Sequence, residues 1–373
     1  MTRVLHLLPG LAVGGTEMAL LRLVSSTHDI EHLVVTLTSH DTLKSDFEHL
    51  GVKVESLMMT RSPLTWIRVF GLRKIVREFV PDVVQSWLYA GDLALIFAGI
   101  KKSTSSIWNI RQSETRLIRG QFHIYVMQRI AGLVSNWLPD QIVYCGEKAR
   151  ATHESIGYSD KNAVVIPNGI DVEKYRSDKD AFTEIRQELG LADDVFVFGL
   201  IGRYDPLKNQ QLLLDSFSQL MTQRDSVFLI LAGRNVDDNN DELVKLVQLH
   251  GLQDSVQLLG ARTDISRVLA ALDCHVLTST SEGWPNVLAE AMACEVFCIT
   301  TPVGDAPTIL NDCGTVLNDY RAETLAVAML NAVDADGASR KSAGNRARQR
   351  VKEEFSLRRF GERYQQLYTG ASS

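Results

Sequence analysis

Short apolar runs alternate with amphipathic stretches along this whole chain, and that alternation leaves little choice of fold. Runs of strand length lie at 4–8, 33–37, 83–85, 106–109, 142–145 and 163–166. Helix-period stretches lie between them at 17–24, 64–79, 92–100, 121–135 and 148–156. The turn-rich segment Pro167-Asn168-Gly169-Ile170-Asp171 and a polar stretch at 173–188 interrupt the series. It then resumes with strand-like runs at 195–201, 227–231, 256–259, 274–277, 296–300 and 315–317. Helical patterns at 210–222, 242–250, 264–272, 287–293, 322–333 and 338–354 fit between these. Such alternation predicts an α/β chain with parallel, doubly wound sheets.

At 373 residues the chain exceeds one typical core, so two Rossmann-like halves are expected, 1–166 and 167–354. The stretch 355–373 follows, with Phe360, Tyr364 and Leu367 at helical spacing. A net charge of −6 argues against nucleic acid as a partner. The five Cys lie mostly in apolar runs with no CxxC pair, so buried free thiols in a reducing cytosol are expected. The apolar run 4–8 is too short for the core of a signal peptide. No run of about 20 apolar residues could span a membrane. A cytoplasmic chain is the expectation.

Two carboxylates stand out. Glu282 and Glu290 bracket Gly283-Trp284-Pro285-Asn286-Val287-Leu288-Ala289. The strand-like run 274–278 precedes them and a helix-forming run follows. Glu282 therefore falls on a loop at a strand's carboxyl end, and Glu290 on the helix after it. In an open α/β sheet, ligands bind at that edge. Acceptor groups beside a helix N-terminus suit a ligand carrying both hydroxyls and phosphate, as a nucleotide-sugar does. The plainer reading is that acids near a helix start only complement its dipole.

Arg203 and Lys208 flank the turn after the strand-like run 195–201. A guanidinium fork and an ammonium point charge can clamp a diphosphate there without a metal. Two solvated surface cations are the alternative. Gly14 and Gly15, in Val13-Gly14-Gly15-Thr16-Glu17, would let a ligand approach backbone amides after the first strand. That loop is neither GxGxxG nor a Walker A run, and a plain turn fits equally. Asn168-Gly169 reads as a tight turn. Gly304-Asp305-Ala306-Pro307, at the ligand-facing edge after the run 296–300, either packs near the sugar or is an ordinary strand-to-helix loop, the second reading being favoured.

Residues 101–137 hold Lys101, Lys102, Arg111, Arg116, Arg119 and Arg129 against Glu114 alone, with Trp108, Phe122, Tyr125 and Trp137 interleaved. This stretch either docks on an anionic membrane surface, holds a phosphorylated acceptor, or is a solvated helix face over core aromatics. The nine His residues form no metal-binding pair, and His6 reads as a satisfied core residue. No GxSxG supports serine hydrolase chemistry.

Taken in order, these segments resemble glycosyltransferase family 4, retaining enzymes with the GT-B fold. The resemblance spans nearly the whole chain. It rests on Gly14-Gly15-Thr16-Glu17, Ile166-Pro167-Asn168-Gly169-Ile170-Asp171, Gly202-Arg203 with Lys208, Leu231-Ala232-Gly233, Leu259-Gly260, and Ser281-Glu282 through Glu290-Ala291-Met292-Ala293. It implies an acceptor-side first domain and a nucleotide-sugar-binding second domain facing a central cleft, with the last helix crossing back to the first domain. Catalytic roles would fall to Glu282, Arg203 and Lys208. Arg203 and Lys208 would neutralise the donor diphosphate, Glu282 would bond the sugar hydroxyls, and Glu290 the ribose. Backbone amides at Asn286, Val287 and Gly15 would face the phosphates. Transfer with retention, no cofactor and no divalent metal are implied. The implied donor is a UDP- or GDP-sugar, and the acceptor a glycan or lipid-linked glycan in cell-surface polysaccharide synthesis. The enzyme would be cytoplasmic or peripheral on the inner membrane face.

Three departures accompany the resemblance. Arg111 stands where many members carry a His that helps hold the transferred sugar. Arg stays protonated and is a poor general base, so it either binds a charged sugar or acceptor or only shapes the site. Glu295-Val296-Phe297 replaces a common Gly-x-Pro, and Trp284 replaces the usual Phe. Two other classes compete: a sugar-nucleotide 2-epimerase, and a non-catalytic nucleotide-binding partner subunit. The combined Arg203, Lys208, Glu282 and Glu290 set argues against both.

Overall fold

The computed structural model describes every residue except Arg61, 116–121, Asp193, Ser372 and Ser373. Its chain divides into two compact units, Met1–Gly169 with Leu357–Ser373, and Ile170–Ser356.

The first unit carries seven strands: β1 (Thr2–Leu8), β2 (Ile30–Thr38), β3 (Lys53–Met59), β4 (Val83–Trp87), β5 (Ser105–Ile110), β6 (Gln141–Tyr144) and β7 (Ala163–Val165). They pair in parallel in the order β3-β2-β1-β4-β5-β6-β7. From β1 the chain winds outward to β2 and β3, then returns to place β4 on the other side of β1. The point of reversal lies between β1 and β4. The sheet is covered on one side by helix Gly15–Ser26, through Leu20 and Leu23, and by the last helix, Leu357–Ala371, through Phe360, Tyr364 and Tyr368. Those three aromatic side chains are fully buried. Helix Leu357–Ala371 thus belongs to the first unit although the second precedes it in the chain.

The second unit carries β8 (Phe196–Ile201), β9 (Val227–Ala232), β10 (Val256–Leu258), β11 (Cys274–Leu277), β12 (Phe297–Thr300) and β13 (Thr315–Val316). The order β10-β9-β8-β11-β12-β13 is again parallel, and the reversal falls between β8 and β11. Strands buried on both faces read as near-continuous apolar runs, which is why β8, β9 and β11 are plain in the sequence.

Two departures have physical causes. Strand β3 was not expected, because its Lys53, Glu55 and Ser56 break the apolar pattern; it is the edge strand, and most of its side chains are only partly covered. The single amphipathic stretch expected at 64–79 is two elements, a 3₁₀ helix Pro63–Gly71 and an α-helix Leu72–Phe79. Glu295, in place of the common Gly, holds φ at +65°, the left-handed region glycine favours. Its side chain lies 3.6 Å from Arg348. All five Cys are buried, and none forms a disulfide.

Candidate active site

The reversal between β8 and β11 brings two loops together at the carboxyl edge of the second sheet, where ligands of open α/β sheets bind. After β8 the chain turns through Arg203–Asn209 and enters helix Gln210–Met221. Asn209 makes that entry: it adopts φ +53° and its side chain accepts from the Leu212 amide. After β11 the chain passes through Ser279 and Glu282 and enters helix Asn286–Ala293.

The two loops are tied together by backbone and side chain. Thr278 Oγ1 donates to the Lys208 carbonyl at 2.8 Å, and the Thr280 amide to the Leu207 carbonyl at 2.8 Å. Across this seam Lys208 Nζ donates to Glu282 Oε1 at 2.6 Å. The pair is largely covered, with side-chain exposures of 18% and 14%. Ser279 Oγ donates to the same carboxylate oxygen at 2.7 Å. A charge-assisted bond of this length fixes both side chains at the loop seam. Arg203 is different. Its side chain is half exposed and bonds Asp205 Oδ2 at 2.9 Å. Asp205 also accepts from the Leu207 amide, and Gln210 Nε2 holds the Arg203 carbonyl at 2.9 Å, so the turn is rigid while the guanidinium reaches outward.

Glu290 sits on helix Asn286–Ala293 and is buried. Pro285 stands at the N-cap and has no side chain that can cap, so the first amides of the helix, those of Asn286 and Val287, get no cap from that position. Asn286 Oδ1 is buried without a hydrogen-bond partner. Gly233 and Gly304 let backbone segments touch. A Cβ on Gly233 would stand 2.1 Å from the Gly202 carbonyl oxygen. Gly304, read from sequence as part of an ordinary loop, is such a contact point for the Glu282 loop. His275 on β11 was not singled out from sequence. Both its ring nitrogens are buried and unpaired, and burial, then the Lys208 charge, lowers its pKa to about 3.

The first unit repeats the logic at its own reversal. Gly14 precedes helix Gly15–Ser26, and the Glu17 carboxylate folds back against it: a Cβ at 14 would stand 2.5 Å from Glu17 Oε2. Burial raises the Glu17 pKa, partly offset by its own backbone amide. After β4, Leu88 holds φ +64°, a strained conformation for a bulky residue and one that clusters at functional sites.

Arg111 leaves β5 beside the Trp87 ring, 5.8 Å from its centroid. Its Nη1 donates to Asn109 Oδ1 at 3.3 Å, Asn109 Nδ2 donates to Tyr364 Oη at 2.7 Å, and Arg111 Nη2 is buried with no partner. Tyr364 enters from the last helix, a contact the sequence did not signal. Trp87 Nε1 donates to His6 Nδ1 at 3.3 Å, so His6 must donate through Nε2 to His32 Nδ1 at 2.9 Å, and His32 Nε2 to Thr27 Oγ1 at 2.9 Å. Both rings are therefore neutral, and burial lowers both pKa values, that of His32 to about 4. His6 is the satisfied core residue expected, with partners that lay out of sight.

Within 101–137, Trp108 is fully buried in β5, and Arg129 is partly buried with its guanidinium over the Tyr125 ring. Arg116 and Arg119 lie outside the described residues. Among the described residues, no group of three or more His, Cys, Asp or Glu side chains could hold a metal ion, and no helix is long and apolar enough to cross a membrane.

Two family models match the chain: Glyco_transf_4, "Glycosyltransferase Family 4", over residues 13–174, and "Glycosyl transferases group 1" over residues 181–350. The N-acetyl-alpha-D-glucosaminyl L-malate synthase of Bacillus anthracis is 28% identical over 58% of this chain and 56% of its own length. The UDP-Gal:alpha-D-GlcNAc-diphosphoundecaprenol alpha-1,3-galactosyltransferase of Escherichia coli is 32% identical over 37% of this chain and 36% of its own. The chain thus spans only about half, or less, of the length of these relatives. Among solved structures, Anabaena Alr3699/HepE in complex with UDP superposes with a TM-score of 0.86 at 22% identity, covering 99% of this chain and 100% of that one.

Proposed function

The chain belongs to glycosyltransferase family 4 and has the GT-B fold, and on that premise we propose that it moves a sugar from a nucleotide-diphosphate donor to a glycan or lipid-linked acceptor, with retention and without a metal. The observation that carries this reading is the Lys208–Glu282 pair at the reversal of the second sheet, with Arg203 reaching out beside it.

In this reading Lys208 and Arg203 take the donor diphosphate, and the Asn286 and Val287 amides add partial positive charge at the helix start. Stabilising the departing diphosphate is electrostatic work that two preorganised cations can do. Glu282, released from Lys208 by the phosphates, turns to the sugar hydroxyls, and Glu290 holds the ribose. No residue need act as a covalent nucleophile, because the leaving phosphate takes the acceptor proton. A uridine donor is supported by the HepE structures with UDP and UDP-glucose, and a lipid-linked acceptor by the diphosphoundecaprenol galactosyltransferase. A cytoplasmic site of action fits such donors.

The test is mass spectrometry of the purified protein with a panel of UDP- and GDP-sugars, scoring binding and slow donor hydrolysis. Binding and hydrolysis of at least one donor, lost in Lys208→Ala, is the expected result. A protein that binds none of the panel overturns the reading.

A further inference from the structure

Helix Asn286–Ala293 is only eight residues long, and it carries Glu290 and the Asn286 and Val287 amides. A helix this short has almost no stability of its own, so what packs against it decides where its start points. Two of the departures from the family pattern fall at its two ends: Trp284 just before it and Glu295 just after it. Both meet the same stretch of chain, residues 348–355.

At its carboxyl end the helix closes in the motif that glycine usually makes. The Glu295 amide donates to the Met292 carbonyl at 3.1 Å and the Val296 amide to the Ala291 carbonyl at 3.2 Å, with Glu295 in the left-handed region. The Cys294 amide donates to the Glu290 and Ala291 carbonyls. None of these amides reaches the Ala293 carbonyl, and Arg348 Nη1 donates to it. The same guanidinium donates to the Tyr175 carbonyl at 3.0 Å and the Val172 carbonyl at 3.1 Å. Glu295 Oε1 lies 3.6 Å from its Nε, a counter-ion that glycine at 295 would not supply. Gly344, on the same face of helix Gly337–Arg350 as Arg348, lets the two backbones touch, since a Cβ there would overlap the Glu295 carbonyl.

At the amino end, Trp284 is buried and meets Phe355 edge-on, with ring centroids 5.5 Å apart. Phe355 closes the π-helical turn Val351–Phe355, which continues the Arg348 helix. It is itself held. Its carbonyl accepts from the Ile170 amide at 2.7 Å. The Arg350 guanidinium, 5.5 Å from its ring centroid, donates to the Thr308 and Ile309 carbonyls at 2.8 and 2.9 Å.

One continuous segment thus grips the short helix at both ends. We propose that Arg348 and Phe355, through Glu295 and Trp284, are positioning residues for the donor diphosphate: they fix the aim of the Asn286 and Val287 amides and the place of Glu290. The proposal rests on the reading that these groups meet the nucleotide. A planar guanidinium reaches several carbonyls in fixed directions at once, which an ammonium on a flexible stem does not.

The experiment joins calorimetry with UDP, urea unfolding, and hydrogen exchange read by mass spectrometry, on wild type, Arg348→Lys and Glu295→Gly. In Arg348→Lys, exchange over 286–293 should quicken while β8 and β9 exchange as in wild type. UDP affinity should fall about three- to tenfold, the worth of a helix terminus to an anion. Glu295→Gly is the sharper test. Glycine takes the left-handed turn without strain, so the urea midpoint should hold or rise. The Arg348 counter-ion is gone, so UDP affinity should fall and exchange over 286–293 quicken, as in Arg348→Lys. A contact that only stabilised the fold would not lose affinity while stability holds. Three outcomes overturn the proposal: unchanged exchange over 286–293 in both variants, wild-type UDP affinity in both, or a Glu295→Gly variant that loses affinity only in step with its stability. If the wild type itself binds no UDP, the transfer reading fails. Exchange then decides alone: quickened exchange over 286–293 upholds the brace, and unchanged exchange overturns it.

Discussion

Gly304 lies against the backbone of Glu282: a Cβ at position 304 would stand 2.5 Å from the Glu282 carbonyl oxygen and 3.3 Å from that of Gly283. Its φ of +52° adds a second reason for glycine. Gly304→Ala should therefore cost about 2 kcal/mol or more of stability, from left-handed strain and displacement of the Glu282 loop. Turnover should fall further than the stability loss explains. Urea unfolding together with kcat checks both, and a variant equal to wild type in each would show that the close approach is dispensable.

Lys208→Ala should lower kcat by two to three decades, about 3 kcal/mol of transition-state stabilisation, with the fold intact. Arg203→Ala should do the same from its exposed position. Near-normal turnover in either would remove the diphosphate clamp.

Glu282→Gln should separate binding from catalysis. The Lys208 ammonium donates to the Glu282 carboxylate at 2.6 Å, so that carboxylate competes with a diphosphate for the cation. The variant should bind free nucleotide diphosphate as well as wild type or better, while kcat falls. Glu290→Gln should weaken nucleotide binding instead. Calorimetry with UDP would expose a reversed assignment directly.

Turnover should be indifferent to EDTA. The two cations and the start of helix Asn286–Ala293 supply the positive charge that a metal would otherwise bring. Loss of activity in EDTA with recovery in magnesium would contradict this.

Acid should unfold the protein early. Burial depresses the pKa values of His32 and His153 to about 4 and that of His275 to about 3, with His6 also lowered. The unfolded chain takes up these protons near pH 6.5 and the folded one does not. Stability is then full above about pH 6.5 and is lost progressively as pH falls toward about 4, with His32, His153 and His275 each contributing on the order of 3 kcal/mol at the end of the fall. Urea midpoints from pH 8 to pH 4 measure it. His153→Gln, which removes one such group, should flatten the slope.

The sheets and the second-unit site were legible because both follow from local pattern. A strand buried on both faces is a continuous apolar run, and the residues after it fall at the ligand edge wherever the strand sits. That logic placed Arg203, Lys208, Glu282 and Glu290 without coordinates. It did not pair Lys208 with Glu282, since 74 residues separate them and only the strand order brings β8 beside β11. Tyr364 meets Asn109 across 255 residues, and no periodicity encodes that contact. Gly304 was read as a plain loop because only the neighbouring backbone reveals the crowding.

The last helix, Leu357–Ala371, has a consequence for biogenesis. Phe360, Tyr364 and Tyr368 complete the core on one side of the first sheet, and they are synthesised after the entire second unit. On the ribosome the second unit can therefore close first, while the first waits with the surface around Leu20 and Leu23 uncovered. A nascent chain stopped at residue 356 would carry one finished unit and one with an open apolar flank, the kind of species that chaperones hold.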